Sequence, residues 1–214
     1  IYKNALEGNT QYFDNLYGYI KDDYIRAGII KTNLPQIKNP DYNLRCNRFI
    51  LSIINRMNNQ INALLSKYDK KRIAVVCSTT NSGVDEYEKS GNPKHFEIGN
   101  TSEFIRDILG LKGWFGTVST ACSSGIIAFS QAGDLLNNNI ADAVIVASCD
   151  SLSNVPVFGF SSLDVLTNKL VNPFGKNRTG MNMGEAGAVF IVEKASHNGI
   201  EVMGIGHSSD VYHP

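Results

Sequence analysis

Of the four cysteines in the chain, Cys46, Cys77, Cys122 and Cys149, one stands in a setting suited to chemistry. Cys122 lies in the run Val118-Ser119-Thr120-Ala121-Cys122-Ser123-Ser124-Gly125. Ahead of it, Trp114 to Val118 is a short aromatic and β-branched stretch, the pattern of a buried strand. Behind it, Ile126, Ile127, Phe129, Ala132, Leu135 and Leu136 recur at helical spacing. The cysteine therefore falls at a strand-to-helix junction. The first N–H groups of a helix have no intrahelical partner, and the helix dipole adds positive potential there. A thiol in that place loses its proton more readily, and the thiolate is the nucleophile. Ser123, Ser124 and Gly125 are small and leave room for a substrate beside the sulfur. The chemistry this suits is acyl transfer through a thioester on Cys122. The competing reading is that of most free cysteines, a small apolar group buried for packing. That reading fits Cys77 and Cys149, which lie in apolar runs. Cys46 opens an amphipathic helix and carries no further signal. None of the four forms a C-x-x-C pair, which speaks against a zinc or thioredoxin-like site.

The elements that must position Cys122 follow from hydrophobic patterning. Leu44 to Tyr68 is predicted as one long helix, with Ile50, Ile53, Ile54, Met57, Ile61, Leu64 and Leu65 forming a core-facing stripe. Asp69-Lys70-Lys71-Arg72 reads as a solvated turn or as a basic contact for an acidic partner. Ile73 to Cys77 is a buried parallel strand. Ser78 to Gly83 is the loop beyond its C-terminal end, where open α/β sheets bind ligands. Asn92-Pro93 marks a turn. Asn100 or Thr101 is expected to cap a helix through Phe104, Ile105, Ile108 and Leu109, stopped by Gly110. Ala143 to Cys149 is the next strand, so strand, Cys122 helix and strand make a βαβ unit. Pro156 to Thr167 carries Phe158, Phe160, Leu163 and Leu166. Gly184 to Gly187 leads into a strand from Ala188 to Glu193. Glycines that precede a strand, rather than a helix, argue against a phosphate loop. Arg178 and Glu185 are expected to pair. His197-Asn198-Gly199 reads as a hairpin turn with a return through Val202 to Gly206. At the start, Ile1 to Tyr24 reads as a short helix and a packed loop, and Gly28 to Tyr42 as loop. His95 and His197 read as exposed loop histidines, and His207 is left open.

The 214 residues are enough for one large domain. Hydrophobic residues make up 43% and charged residues 19%, a globular balance. Lysine plus arginine total 20, as do aspartate plus glutamate, which gives no support for a nucleic-acid partner. No apolar run reaches the length of a membrane span, and no secretory signal is visible. Free thiols suit a reducing, cytoplasmic setting.

Three segments together resemble the β-ketoacyl synthases, the condensing enzymes of fatty-acid and polyketide assembly. Ser119 to Gly125 is similar to that family's nucleophile motif. Pro173-Phe174, with Arg178-Thr179-Gly180-Met181-Asn182-Met183-Gly184-Glu185-Ala186-Gly187-Ala188, is similar to its glycine-rich entry to a central strand. Ser208-Ser209-Asp210-Val211-Tyr212-His213-Pro214 is similar to the stretch closing the first half of its catalytic unit. The resemblance implies an α/β, thiolase-like fold with layered α-β-α-β-α architecture. Residues 1–214 would form its N-terminal half, without the opening strand and the C-terminal half. It implies acylation of Cys122 from an acyl-carrier protein and decarboxylative Claisen condensation with a malonyl unit. No cofactor is implied beyond the phosphopantetheine arm that carries the substrates, and no metal. Phe160 becomes the candidate aromatic of the acyl pocket, with core packing as its other reading. His213 falls near the pantetheine channel, or is a buried structural imidazole. The family's two catalytic histidines lie in the second half, one in His-Gly-Thr-Gly-Thr, and no such motif occurs here. The resemblance also implies pairing of two chains, as a homodimer or with a related synthase, through a sheet edge beside the nucleophile strand. The rival readings are a non-catalytic, chain-length-setting partner subunit, and a thiolase acting on acyl-coenzyme A.

Overall fold

A computed structural model describes residues 7–20, 23–194 and 199–208. Its centre is a four-stranded sheet in the order β4-β3-β5-β7, built from β3 (Ile73–Ser78), β4 (Phe115–Val118), β5 (Ala143–Asp150) and β7 (Ala186–Glu193). β3 pairs in parallel with both β4 and β5, while β7 runs antiparallel to β5. All six residues of β3 are buried, which explains its unbroken apolar run.

Side-chain alternation sorts the two sheet faces. Ile73, Val75, Cys77, Ala143, Ile145, Ala147 and Cys149 face one side. There they meet α1 (Arg45–Arg56), α2 (Asn58–Lys67) and α5 (Asn100–Leu109), through residues such as Ile50, Ile54, Ile61, Phe104 and Ile105. Ala74, Val76, Val144 and Val146 face the other side, against Ala128, Ala132, Leu135 and Leu136 of α6 (Ser124–Asn137). The described residues thus stack helices, sheet and helix. This is the mixed α/β architecture expected, with the Cys122 helix on its own face of the sheet.

Several elements differ from expectation. The long helix breaks at Met57 into α1 and α2. Met57 leaves helical geometry (ψ 18°), and Asn58 and Asn59, poor helix formers, follow it. Asn92 caps a one-turn helix, α4 (Pro93–Phe96), behind α3 (Val84–Ser90). Gly99, not Asn100 or Thr101, precedes α5. Asn100 is buried instead, and its amide donates to the carbonyls of Asp41 and Lys94. Gly110 does end α5 in the left-handed conformation.

The largest departure is near the start. β1 (Phe13–Ile20) and β2 (Asp23–Gly28) pair antiparallel, where a helix and loop were expected. Ile25 and Ala27 alternate inward, and the rings of Tyr17 and Tyr24 meet across the pair at 5.5 Å. β2 also pairs with the two-residue β6 (Met183–Gly184) in a second, three-stranded sheet. Residues 199–208 form no strand, so the expected return of a hairpin after β7 is absent among the described residues.

Candidate active site

β4 ends at Val118, and four residues later Cys122 sits in a single 3₁₀ turn, Ala121–Ser123, that feeds directly into α6. The strand-to-helix junction is as expected. Cys122 alone of the four thiols is exposed; the other three are buried. Burial pushes the Cys77 thiol up, and contact with Cys149 together with burial pushes the Cys46 thiol up, so both are poor nucleophiles.

The turn is held by hydroxyls. Ala121 adopts a left-handed conformation, φ 53°, which is disfavoured for a residue with a Cβ. The Ser124 hydroxyl accepts from the Thr120 N–H at 2.8 Å and donates to the Ala121 carbonyl at 2.6 Å. Ser123 donates to the Thr120 carbonyl at 2.8 Å and lies 3.0 Å from its hydroxyl. The two serines behind Cys122 thus close the turn on the two residues ahead of it. Gly125 lies over β5, where an added Cβ would stand 4.0 Å from the Ser148 hydroxyl.

The loop beyond β3 borders the same site. Asp150, at the end of β5, accepts at Oδ1 from Thr79 Oγ1 (2.7 Å), Thr80 N–H (2.8 Å) and Asn81 N–H (3.3 Å). The Thr79 N–H in turn donates to the Val118 carbonyl at 3.3 Å, the last residue of β4. Asn81 donates to Ser151 O and Ser153 Oγ. Ser78, Ser148 and Asp150 share the α6 face of the sheet by alternation with Val76, Val144 and Val146. The loop expected to shape the site is therefore tied to the strand that carries the nucleophile. Sequence reading placed Ser124 in the Cys122 motif and Thr79 in the loop beyond β3 without their bonds, and missed Asp150, because an aspartate at the end of a strand has no spacing signature of its own.

Phe160 lies half-buried on α7 (Asn154–Ser162), which begins four residues beyond β5. Phe158 on the same helix packs against Tyr19 of β1, ring centroids 5.8 Å apart, so its ring is committed to structure. His213 and His197 lie outside the described residues. His207 is exposed and lies 3.2 Å from Ser130 Oγ on α6. His95 is only 7% exposed, contrary to expectation. The one-turn helix α4 directs it inward, where its ring nitrogens lie 2.9 Å from Ser90 Oγ and 2.9 Å from the Pro40 carbonyl. The expected Arg178–Glu185 pair does not form. Glu185 turns inward to Arg45 of α1 and accepts from Ile30 N–H at 2.8 Å. Arg178 stays exposed and donates to the Gly175 carbonyl. Beside α6 an apolar cavity of about 330 Å³ is lined by Ile126, Phe129, Val202, Gly204, Ile205 and Gly206. No helix among the described residues is long and apolar enough to cross a membrane.

Residues 64–198 match the family described as Beta-ketoacyl synthase, N-terminal domain. A 3-oxoacyl-acyl-carrier-protein synthase 2 of Coxiella burnetii is 30% identical over 117 residues, covering 48% of this chain and 28% of that protein. The protein of the same name from Staphylococcus aureus is 27% identical over 118 residues, 49% of this chain and 29% of that one. Among solved structures, a ketosynthase in complex with its chain length factor from Xenorhabdus doucetiae superposes with a TM-score of 0.83. Its identity is 27%, covering 91% of this chain and 53% of that chain. A β-ketoacyl synthase from Burkholderia phymatum shares the fold with a TM-score of 0.74 at 16% identity, over 89% of this chain and 54% of that one. The aligned part spans under a third of these curated relatives, and about half of these solved chains.

Proposed function

Because the chain belongs to the β-ketoacyl synthase family through its N-terminal domain, we propose that Cys122 is the acyl-accepting nucleophile of a carrier-protein-dependent condensing enzyme. The observation that carries this reading is the placement of the one exposed thiol directly after the left-handed Ala121, in a 3₁₀ turn at the start of a fourteen-residue helix. The Cys122 thiolate attacks the carbonyl carbon of an acyl thioester held on a phosphopantetheine arm. The C–S bond to the arm breaks, the arm leaves as a thiol, and the acyl group remains on Cys122. The backbone N–H of Cys122, at the positive end of α6, is an oxyanion donor for that step. A malonyl thioester then loses carbon dioxide, and its carbanion attacks the acyl-Cys carbonyl and releases the thiol. Of the two imidazoles that favour decarboxylation in this family, one belongs to a His-Gly-Thr-Gly-Thr motif that these 214 residues do not contain. This chain's part in the proposal is therefore the nucleophile and its scaffold.

Phe160 is proposed to line the acyl pocket and His213 the pantetheine channel. Pairing with a related chain would use the outer edge of β4, along which no other strand pairs among the described residues. The Xenorhabdus ketosynthase in complex with its chain length factor makes a heterodimer a natural partner state. The presence of Cys122 favours the catalytic role in such a pair over the chain-length-setting one.

The test is to incubate the chain with an acyl-carrier-protein thioester and map the adduct by peptide mass spectrometry. Acylation on Cys122, lost in Cys122→Ala, is the expected result. Label on another residue, or none, overturns the proposal. Transfer from acyl-coenzyme A but not from the carrier protein would favour a thiolase instead.

A further inference from the structure

The turn that presents Cys122 is unfavourable by itself. Ala121 is not a glycine, yet it holds φ 53° immediately before the sulfur-bearing residue. Left alone, such a residue relaxes to negative φ, and the direction of the next residue changes with it. Something must hold it. Ser124 is 5% exposed, and its hydroxyl bonds on both sides of Ala121, at the Thr120 N–H and the Ala121 carbonyl. Those bonds link backbone three and four residues earlier, so the hydroxyl closes a small ring around the strained residue. Ser123, the outer serine, reaches only Thr120.

We infer that Ser124 is a positioning residue for the Cys122 nucleophile, acting through Ala121, by locking that residue in the left-handed conformation that aims the sulfur out of the turn. This rests on the acyl-transfer reading of Cys122, and it adds a requirement for a hydroxyl two residues after the nucleophile. Ser124→Ala removes both bonds, frees Ala121 to relax, and moves the sulfur relative to the α6 N-terminus. Ser124→Thr keeps the hydroxyl. Glycine at position 121 adopts positive φ without penalty, so Ala121→Gly should make the strap dispensable.

The experiment compares wild type, Ser124→Ala, Ser124→Thr, Ala121→Gly and the Ala121→Gly/Ser124→Ala double variant. The rate of Cys122 acylation by an N-acetylcysteamine thioester is followed by mass spectrometry, and the rate of alkylation by iodoacetamide is followed in parallel. Misplacing a nucleophile by a fraction of an ångström to an ångström slows transfer roughly tenfold to hundredfold, the loss expected for Ser124→Ala. Ser124→Thr should stay within about twofold of wild type, and the double variant within about threefold of it. A Ser124→Ala rate equal to wild type, or a double variant as slow as Ser124→Ala, overturns the inference. A serine needed only for packing would give that second result. If Ser124→Ala does not fold, as judged by circular dichroism, the double variant is compared with Ala121→Gly alone, and a gap of about tenfold overturns it. If wild type takes up no acyl group, the proposed function falls. The iodoacetamide rates need no substrate and still decide the strap: equal rates in wild type and Ser124→Ala overturn it, while a change reversed in the double variant supports it.

Discussion

Replacing Glu185 tests how the glycine-rich entry to β7 is anchored. Its side chain is 2% exposed and faces Arg45, which is 30% exposed and lies at the start of α1. It also accepts the Ile30 N–H just beyond β2. The Arg45 guanidinium donates to the Ile30 carbonyl as well, so one ion pair ties α1, β2 and β7 together. In Glu185→Ala the arginine loses its partner while still half sheltered. Breaking a buried pair costs about 3–5 kcal/mol; the partial exposure of Arg45 argues for the lower end, about 3. The orphaned Ile30 N–H adds about 1 kcal/mol. For a chain of this size each kcal/mol lowers Tm by about 2–4 °C, so the expected fall is roughly 8–16 °C. Glu185→Gln keeps one acceptor for Ile30 and should lose less than half of that. Arg178→Ala should leave Tm unchanged, because Arg178 makes no bond to Glu185. Differential scanning calorimetry measures all three. A fall under about 2 °C for Glu185→Ala, or a larger one for Arg178→Ala, refutes the anchoring argument.

Three further perturbations follow from the packing. The Glu86 carboxyl is pushed up to about 8 by burial and by its neighbour Asp85; Arg45 N–H bonds one of its oxygens, and the other is buried without a partner. A raised folded-state value means that the folded chain binds the extra proton. Stability is then fullest below the ordinary carboxyl range and falls as pH rises toward 8, and thermal melts from pH 5 to 8 should show this decline, flattened in Glu86→Gln. Gly113→Ala would place a Cβ 2.2 Å from the Ile73 carbonyl oxygen, so the β3–β4 junction must shift. Denaturant titration should register a loss of at least about 1–3 kcal/mol, and an unchanged midpoint would contradict that contact. Asp150→Ala strands three donors on the 79–81 loop, whereas Asp150→Asn retains an acceptor oxygen. The alanine variant should lose about 2–3 kcal/mol and the asparagine variant clearly less, and equal losses in chemical denaturation would show that charge, not the bonds, matters.

What could be read from the chain was whatever has a period. The apolar runs of β3 and β5 and the helical recurrence after Gly125 each mark an element by burial, and together they place Cys122 at the strand-to-helix junction. Tyr17, Tyr24, Ile25 and Ala27 lie in a strand pair whose sheet is completed by Met183 and Gly184, over 150 residues away. That pairing leaves no local trace. The partner of Glu185 was misread for the same reason: Arg178 is near in sequence, while Arg45 is near in space. His95 was assigned to solvent because a loop histidine usually is, yet the Asn92-capped turn faces it inward. The strap from Ser124 to Thr120 was hidden differently. Its residues lie within the Cys122 motif, but the left-handed Ala121 that gives the hydroxyl its task exists only in three dimensions.

β4 stands outermost in its sheet and is only four residues long, and Cys122 follows it by four residues. One rim of that strand is hydrogen-bonded to β3; along the other no strand pairs among the described residues. If a second chain pairs there as proposed, the strand it adds would lie a single tight turn from the thiol.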